Sequence, residues 1–339
     1  MKGKGWFLVT SFLLVFVASP LLSSYAAEIQ LNSATFFPPT HVHSKLLDAW
    51  GKEVEKRTGG KVKITYYPGG ALLKGPQTYD GIVKGVADIG MSVFAYTRGV
   101  FPSIEAVEKP LGYPTGSVAT YVINDFVNEF KPKELDNAKV LFLHAHGPGL
   151  FHSKKPINTL EDMKGLKLRV GGNVADTAKA LGAAPVAMGQ GGTYEALQKG
   201  VVEATMAPME VLQGWKHGEV TQYTTLAYSV GYTSGFYVMM NLKKWNSLPK
   251  DVQKVMDEVS AKYVRKYAEA WDATDIEGKG FSLGLGRKHI SLSEEESARW
   301  AKAVEPVIEA YIKEAEGKGL PGKAYMDFLK ARIKYYGEQ

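Results

Sequence analysis

Arg169 stands where an arginine can do chemistry with anions. It lies at the end of a short strand pattern, Leu166–Val170, just before Gly171-Gly172-Asn173. In open α/β sheets, ligands bind outside the carboxyl ends of strands. A planar guanidinium offers a carboxylate two parallel hydrogen bonds. Position and residue type together predict an anion site; the structural alternative is an arginine paired with an acid of its own domain. Gly189-Gln190-Gly191-Gly192 precedes a helix, so its amides either face an anion or form a plain flexible turn. His41 and His43 follow Pro38-Pro39, and His144 and His146 alternate on one strand face. Two histidines at i, i+2 can share a metal, but no acid or third histidine is fixed beside either pair. No metal is assigned, and hydrogen-bonded histidines at strand ends are the plainer reading.

Reaction chemistry is harder to find. There is no G-x-S-x-G elbow, no H-E-x-x-H, no P-loop and no G-x-G-x-x-G at a strand–helix joint. The chain has no cysteine, which excludes disulfides, thiolate metal sites and a cysteine nucleophile. The acids lie mostly on helix surfaces or caps, so no catalytic pair stands out. No enzyme activity and no cofactor are expected.

The elements that must position Arg169 alternate between strand and helix. Strand patterns cover Glu28–Phe36, Lys61–Tyr67, Asp88–Val93, Val140–His146, Leu166–Val170, Pro185–Met188 and Gly235–Asn241. Helical spacing starts at Ser44 and ends at Gly59-Gly60. It returns over Gln77–Lys84, Ser117–Phe130, Ala175–Leu181 and Thr193–Gly200. Long helices follow over Asp251–Leu283, Glu294–Glu314 and Gly322–Tyr335. This order predicts parallel sheets with helices on both faces. The segment Tyr79–Met91 recurs as Tyr194–Met206, with Tyr, Lys-Gly-Val and Met coinciding and the acids in register. Two helix–glycine–strand units so far apart suggest two lobes on one plan, with a cleft between them for a small ligand.

The 339 residues allow roughly two domains. Hydrophobic residues at 45% and charged residues at 22% exclude a disordered chain and a polytopic membrane protein. The net charge of +6 is spread along the chain without a basic, aromatic-interleaved block, so no nucleic acid is expected. Residues 1–27 read as a cleaved signal peptide: Lys2 and Lys4, an apolar stretch from Trp6 to Val17, Pro20, then small residues to Ala27. Export to the periplasm follows, and the charge of the mature chain falls from +6 to +4.

Three stretches carry a resemblance. They are Asn158-Thr159-Leu160-Glu161-Asp162-Met163-Lys164-Gly165-Leu166-Lys167-Leu168-Arg169, then Ala180–Met188, then Tyr194–Glu203. With Trp50–Gly70, Gly85–Gly90 and Gly99–Pro102, they occur in the order found in the substrate-binding proteins of tripartite ATP-independent periplasmic (TRAP) transporters, of the C4-dicarboxylate-binding (DctP) type. The chain resembles that family over nearly its whole mature length. The resemblance implies an α/β, two-lobed periplasmic-binding-protein fold: each lobe a mixed sheet flanked by helices, with a long helix, Asp251–Leu283, crossing both. Lobe I is expected over residues 28–146 plus about 235–274. Lobe II is expected over 147–234 plus about 275–339, with the C-terminal helices. In the family the arginine of the Lys-Gly-Leu-Lys-x-Arg strand clamps the ligand carboxylate, and that position is Arg169. Two family positions differ: Ala207 stands where many members carry an asparagine, and Gln190 where many carry a phenylalanine. The second arginine of sialic-acid-type members falls near Gly149, so a sialic acid is not expected.

Other pocket candidates follow from location: Asn173 and Gln190 in the loops just described, Phe36 and Phe37 ending the first strand, Phe94 and Tyr96 after the Asp88–Val93 strand, Phe151 after the Gly147–Gly149 hinge, and Met209, Glu210 and Trp215. About half of the aromatics are expected in lobe cores. Glu210 could hold a ligand amine or simply be a helix N-terminal acid. The expected ligand is an organic monocarboxylate: aromatic or indole, hydroxy or keto acid. A dicarboxylate or a sulfonate is the alternative. The expected partners are the small and large TRAP membrane subunits, with the protein itself a monomer. A binding protein for an ABC importer and a periplasmic ligand sensor are the rival classes.

Overall fold

The computed structural model describes residues 28–339. The signal segment read at residues 1–27 lies outside the described residues. The chain runs β1 (Ile29–Thr35), α1 (Val42–Arg57), β2 (Val62–Tyr67), α2 (Thr78–Val83), β3 (Ile89–Val93), α3 (Gly116–Phe130), β4 (Ala138–Ala145), β5 (Leu150–Ser153), β6 (Lys167–Val170), α4 (Ala175–Ala180) and β7 (Ala184–Ala187). It continues through α5 (Thr193–Gln198), β8 (Ala204–Ala207), α6 (Val211–Gly214), α7 (His217–Val220), β9 (Tyr223–Leu226), β10 (Gly235–Asn241), α8 (Leu242–Ser247), α9 (Lys250–Gly284), β11 (Lys288–Ser291), α10 (Glu294–Gly317) and α11 (Gly322–Gly337). Among the described residues no helix is long and apolar enough to cross a membrane.

Two sheets form, in the orders β2-β1-β3-β10-β4 and β11-β9-β5-β8-β6-β7. Alternation alone predicts parallel sheets, but both are mixed. β10 runs antiparallel to β3 and β4, and β5 runs antiparallel to β8 and β9. The cause is the crossing of the chain. β4 ends beside the other lobe, so β5 starts there and must run away from it. β10 enters the first sheet in the same way after β9. The two crossing segments pair with each other through the Gly149–Tyr232 bridge, Gly149 N–H donating to the Tyr232 carbonyl at 2.8 Å.

α9 buries Val252, Met256, Val259, Tyr263, Tyr267 and Trp271 with the first sheet's core, at helical spacing. It also packs on α6 and α7 of the second lobe. Thus the long helix touches both lobes, as expected. α10 divides its buried face: Trp300 and Val304 join the second core, Tyr311 and Ala315 the first, with Pro306 between them. α11 packs on α3, where Tyr325 sits 5.0 Å from Phe126 and 4.6 Å from Phe130. Within residues 275–339, α11 and the end of α10 have their apolar faces covered by the first lobe.

The internal repeat is a repeat of bonds. Val86 N–H donates to the Gly81 carbonyl and Val201 N–H to that of Ala196, at 2.8 and 2.9 Å. The Asp88 carboxylate accepts from Asn32 N–H on β1, and the Glu203 carboxylate accepts from Lys167 N–H on β6. Each unit leaves a valine outside, Val86 at 51% and Val201 at 53% exposure.

Candidate functional site

β6 lies between β7 and β8 and delivers Arg169 to the edge of a cavity of about 60 Å³, room for roughly four to six waters. Arg169 is 4% exposed. Its Nε and Nη2 donate to the Met188 carbonyl at 3.2 and 2.8 Å. Among the described residues no carboxylate forms an ion pair with it. The alternative of an arginine consumed by a domain acid is not what the structure contains. A buried guanidinium with only a carbonyl partner keeps its charge for something else.

Aromatic side chains from both lobes wall the cavity. The turn after β1 supplies Phe36 and Phe37, stacked 4.5 Å apart. Trp215, after α6, stacks on Phe36 at 6.0 Å and an interplanar angle of 20°. Phe236 from β10 and Trp271 from α9 lie 5.2 Å apart and close the apolar wall. Tyr96 faces the cavity, and its hydroxyl accepts the Gln190 N–H at 2.8 Å, a bond between the lobes. Gln190 also lines the cavity, and its Nε2 meets His217 Nε2 at 3.2 Å.

Glu210 is 2% exposed and lines the same cavity. His41 crosses from the first lobe to meet it, Nε2 to Oε1 at 2.6 Å. His41 Nδ1 accepts the His43 N–H at 3.3 Å, so Nε2 carries the proton and donates to Glu210. Glu210 N–H donates to Asp275 Oδ1 at 2.8 Å. Burial, with Glu210 nearby, pushes the Asp275 carboxyl up to about 8.

His146 is the polar group that spacing alone left at a strand end, yet it lines the cavity. Its Nε2 accepts the Ser234 N–H at 3.0 Å, so Nδ1 carries the proton, donated to the Gly147 carbonyl at 2.5 Å. Burial, with the Arg169 charge nearby, holds this imidazole down to about 4, and it stays neutral. Among the described residues no three histidines or acids gather as a metal set.

Of the ten expected site residues, the structure brings together Arg169, Gln190, Phe37, Tyr96, Glu210 and Trp215. Four are corrected. Phe94 packs on Phe101 and Tyr237 in the first core, because the tight turn at Phe94–Tyr96 points its ring away while Ala95 and Tyr96 line the cavity. Phe151 lies 5.2 Å from Trp300 in the second core. Met209 packs with Leu150 and Leu212. Asn173 is drawn off by another bond between the lobes, Nδ2 donating to Glu108 Oε2 at 2.6 Å. Sequence reasoning missed His146, Tyr232, Ser234, Phe236 and Trp271. The available signal for Trp271 was its place on the long helix four residues after Tyr267.

Residues 33–314 match the bacterial extracellular solute-binding protein family 7, DctP. A TRAP periplasmic solute-binding protein from Desulfovibrio salexigens, in an open complex, is 34% identical, with a TM-score of 0.80 over 92% of this chain and 98% of its own. A TRAP solute-binding protein from Rhodoferax ferrireducens, in complex with copurified benzoate, is 28% identical with a TM-score of 0.86 over 91% and 99%. A marine metagenome TRAP solute-binding protein specific for aromatic acid ligands, in complex with metahydroxyphenylacetate, is 30% identical with a TM-score of 0.86 over 91% and 99%.

Proposed function

From the premise that this chain belongs to the DctP family of TRAP transporter solute-binding proteins, we propose that it captures a small aromatic monocarboxylate in the cavity between its lobes. The carboxylate is clamped by Arg169, and the ring lies among Phe36, Phe37, Trp215 and Phe236. The observation that carries this reading is a buried arginine without an acid partner, set in an aromatic wall. Among the described residues Arg169 is the only arginine or lysine lining the cavity, and Glu210 would repel a second ligand carboxylate. Both features favour a monoanion over a dicarboxylate. The benzoate and aromatic-acid complexes of the similar structures support the same ligand class.

Capture follows from geometry. Arg169, Gln190, Glu210 and Trp215 come from one lobe, and Phe36, Phe37, Tyr96 and Trp271 from the other. A ligand touching both sets binds the closed lobes better than the open ones, which is the only way it can shift that equilibrium. The loaded protein then hands its anion to the small and large TRAP membrane subunits from the periplasm, as a monomer and without catalysis.

Isothermal titration with benzoate tests the clamp. Removing one partner of a buried ion pair costs about 3–5 kcal/mol. Arg169→Ala should therefore weaken binding by about two to three orders of magnitude. Unchanged affinity in this variant would overturn the assignment.

A further inference from the structure

We propose that Glu210 is a specificity determinant that accepts a hydrogen bond from a donor on the ligand's ring, so that hydroxy- or amino-bearing aromatic acids are preferred over the bare acid. This rests on the aromatic-acid reading above and adds to it the second polar end of the ligand. A carboxylate is a costly group to bury beside an aromatic wall unless it is fully hydrogen-bonded. Glu210 is buried, lines the cavity with Arg169, and is served on Oε1 by His41 Nε2. Its other oxygen, Oε2, has no hydrogen-bond partner among the described residues, and it is not among the atoms sealed inside protein.

Three neighbouring donors are engaged with other acceptors. Tyr232 gives its hydroxyl to the Met206 carbonyl. Trp271 gives its indole N–H to His144 Nδ1 at 3.0 Å. His146 has both nitrogens engaged. Of the donors around the cavity, these three are spent elsewhere, and the free oxygen of Glu210 is left for a guest.

The His41–Glu210 pair is also a partition. Behind it lies a second cavity of about 200 Å³, bordered by Thr40, Lys216 and Glu277. If Oε2 served only that side, a ring substituent would gain nothing, and the ligand series below separates the two cases. A hydrogen bond to a charged acceptor is among the stronger ones. A site that leaves such an acceptor unpaired discriminates against a ligand lacking the donor.

The test is calorimetric titration of the full chain with benzoate, 3- and 4-hydroxybenzoate, 3-aminobenzoate and 3-(aminomethyl)benzoate. At least one donor-bearing acid should bind about tenfold or more tightly than benzoate. The hydroxyl and ammonium arms identify which donor the site takes. In Glu210→Met, which keeps the length of the side chain and removes the acceptor, the ratio of that acid's affinity to benzoate's should collapse towards one. Should this variant fail to fold, Glu210→Asp, which withdraws the carboxylate by one methylene, gives the same ratio test. Benzoate binding as tightly as all its derivatives, or a ratio that survives both substitutions, overturns this proposal alone. Failure of every acid to bind overturns the aromatic-acid reading, and this one with it.

Discussion

Tyr96 ties the two lobes together at a single oxygen. Its hydroxyl accepts the Gln190 amide N–H, and its ring meets Phe36 edge-on at 5.7 Å. Tyr96→Phe keeps the ring and deletes the acceptor. A hydrogen bond of this kind is worth about 1 kcal/mol net, so benzoate affinity should fall about fivefold in a calorimetric titration. An unchanged value would place this contact outside the closing step. Arg169 was legible in the sequence because its chemistry and its place at a strand end agree. Phe94 and Tyr96 were equally plausible by position, and only the turn that carries them decides which faces the cavity. His146 did show a spacing, the i, i+2 pair with His144, but that spacing points to a strand face and says nothing of a cavity beside it.

Among the elements, the two repeated units make the clearest prediction. Gly85 and Gly200 end α2 and α5 at φ of 76° and 73°, where a side chain is strained. Neither site is crowded, so Gly85→Ala and Gly200→Ala should each cost only the backbone term, about 1–2 kcal/mol. They lie on different lobes and should add in the double variant within about 0.5 kcal/mol. Urea unfolding measures all three. A large departure from additivity would show that the copies communicate. The repeat, β10 and α9 could be read from the chain because their patterns are long. β5, β9 and β11 went unread; β9, Tyr223–Leu226, buries its two central threonines side by side and so shows no alternation. The reversal of β5 and β10 depends on which lobe the chain has just left, which periodicity does not record.

For the molecule as a whole, buried ionisable groups set an optimum of pH. Burial pushes the Glu108 and Asp275 carboxyls up from 4.5 and 3.8 to about 8. Their stabilisation is complete below the unfolded values and is lost as pH rises towards 8. Burial lowers His43, His144, His146, His152 and His217. Their stabilisation is complete above about 6.5 and is lost as the pH falls below it. The five histidines outweigh the two acids on the acid side, and the acids act alone on the other. The melting temperature should therefore peak near pH ~6.5. Glu108→Gln should remove about half of the decline between 6.5 and 8, read from thermal melts across the range. A decline that the substitution leaves intact would assign it to other groups. The outward valines of the two repeated units carry a practical consequence. Because the chain has no cysteine, Val86→Cys and Val201→Cys would create two unique thiols for a donor and an acceptor dye, one on each lobe. Energy transfer between them would turn the protein into its own optical gauge of ligand capture.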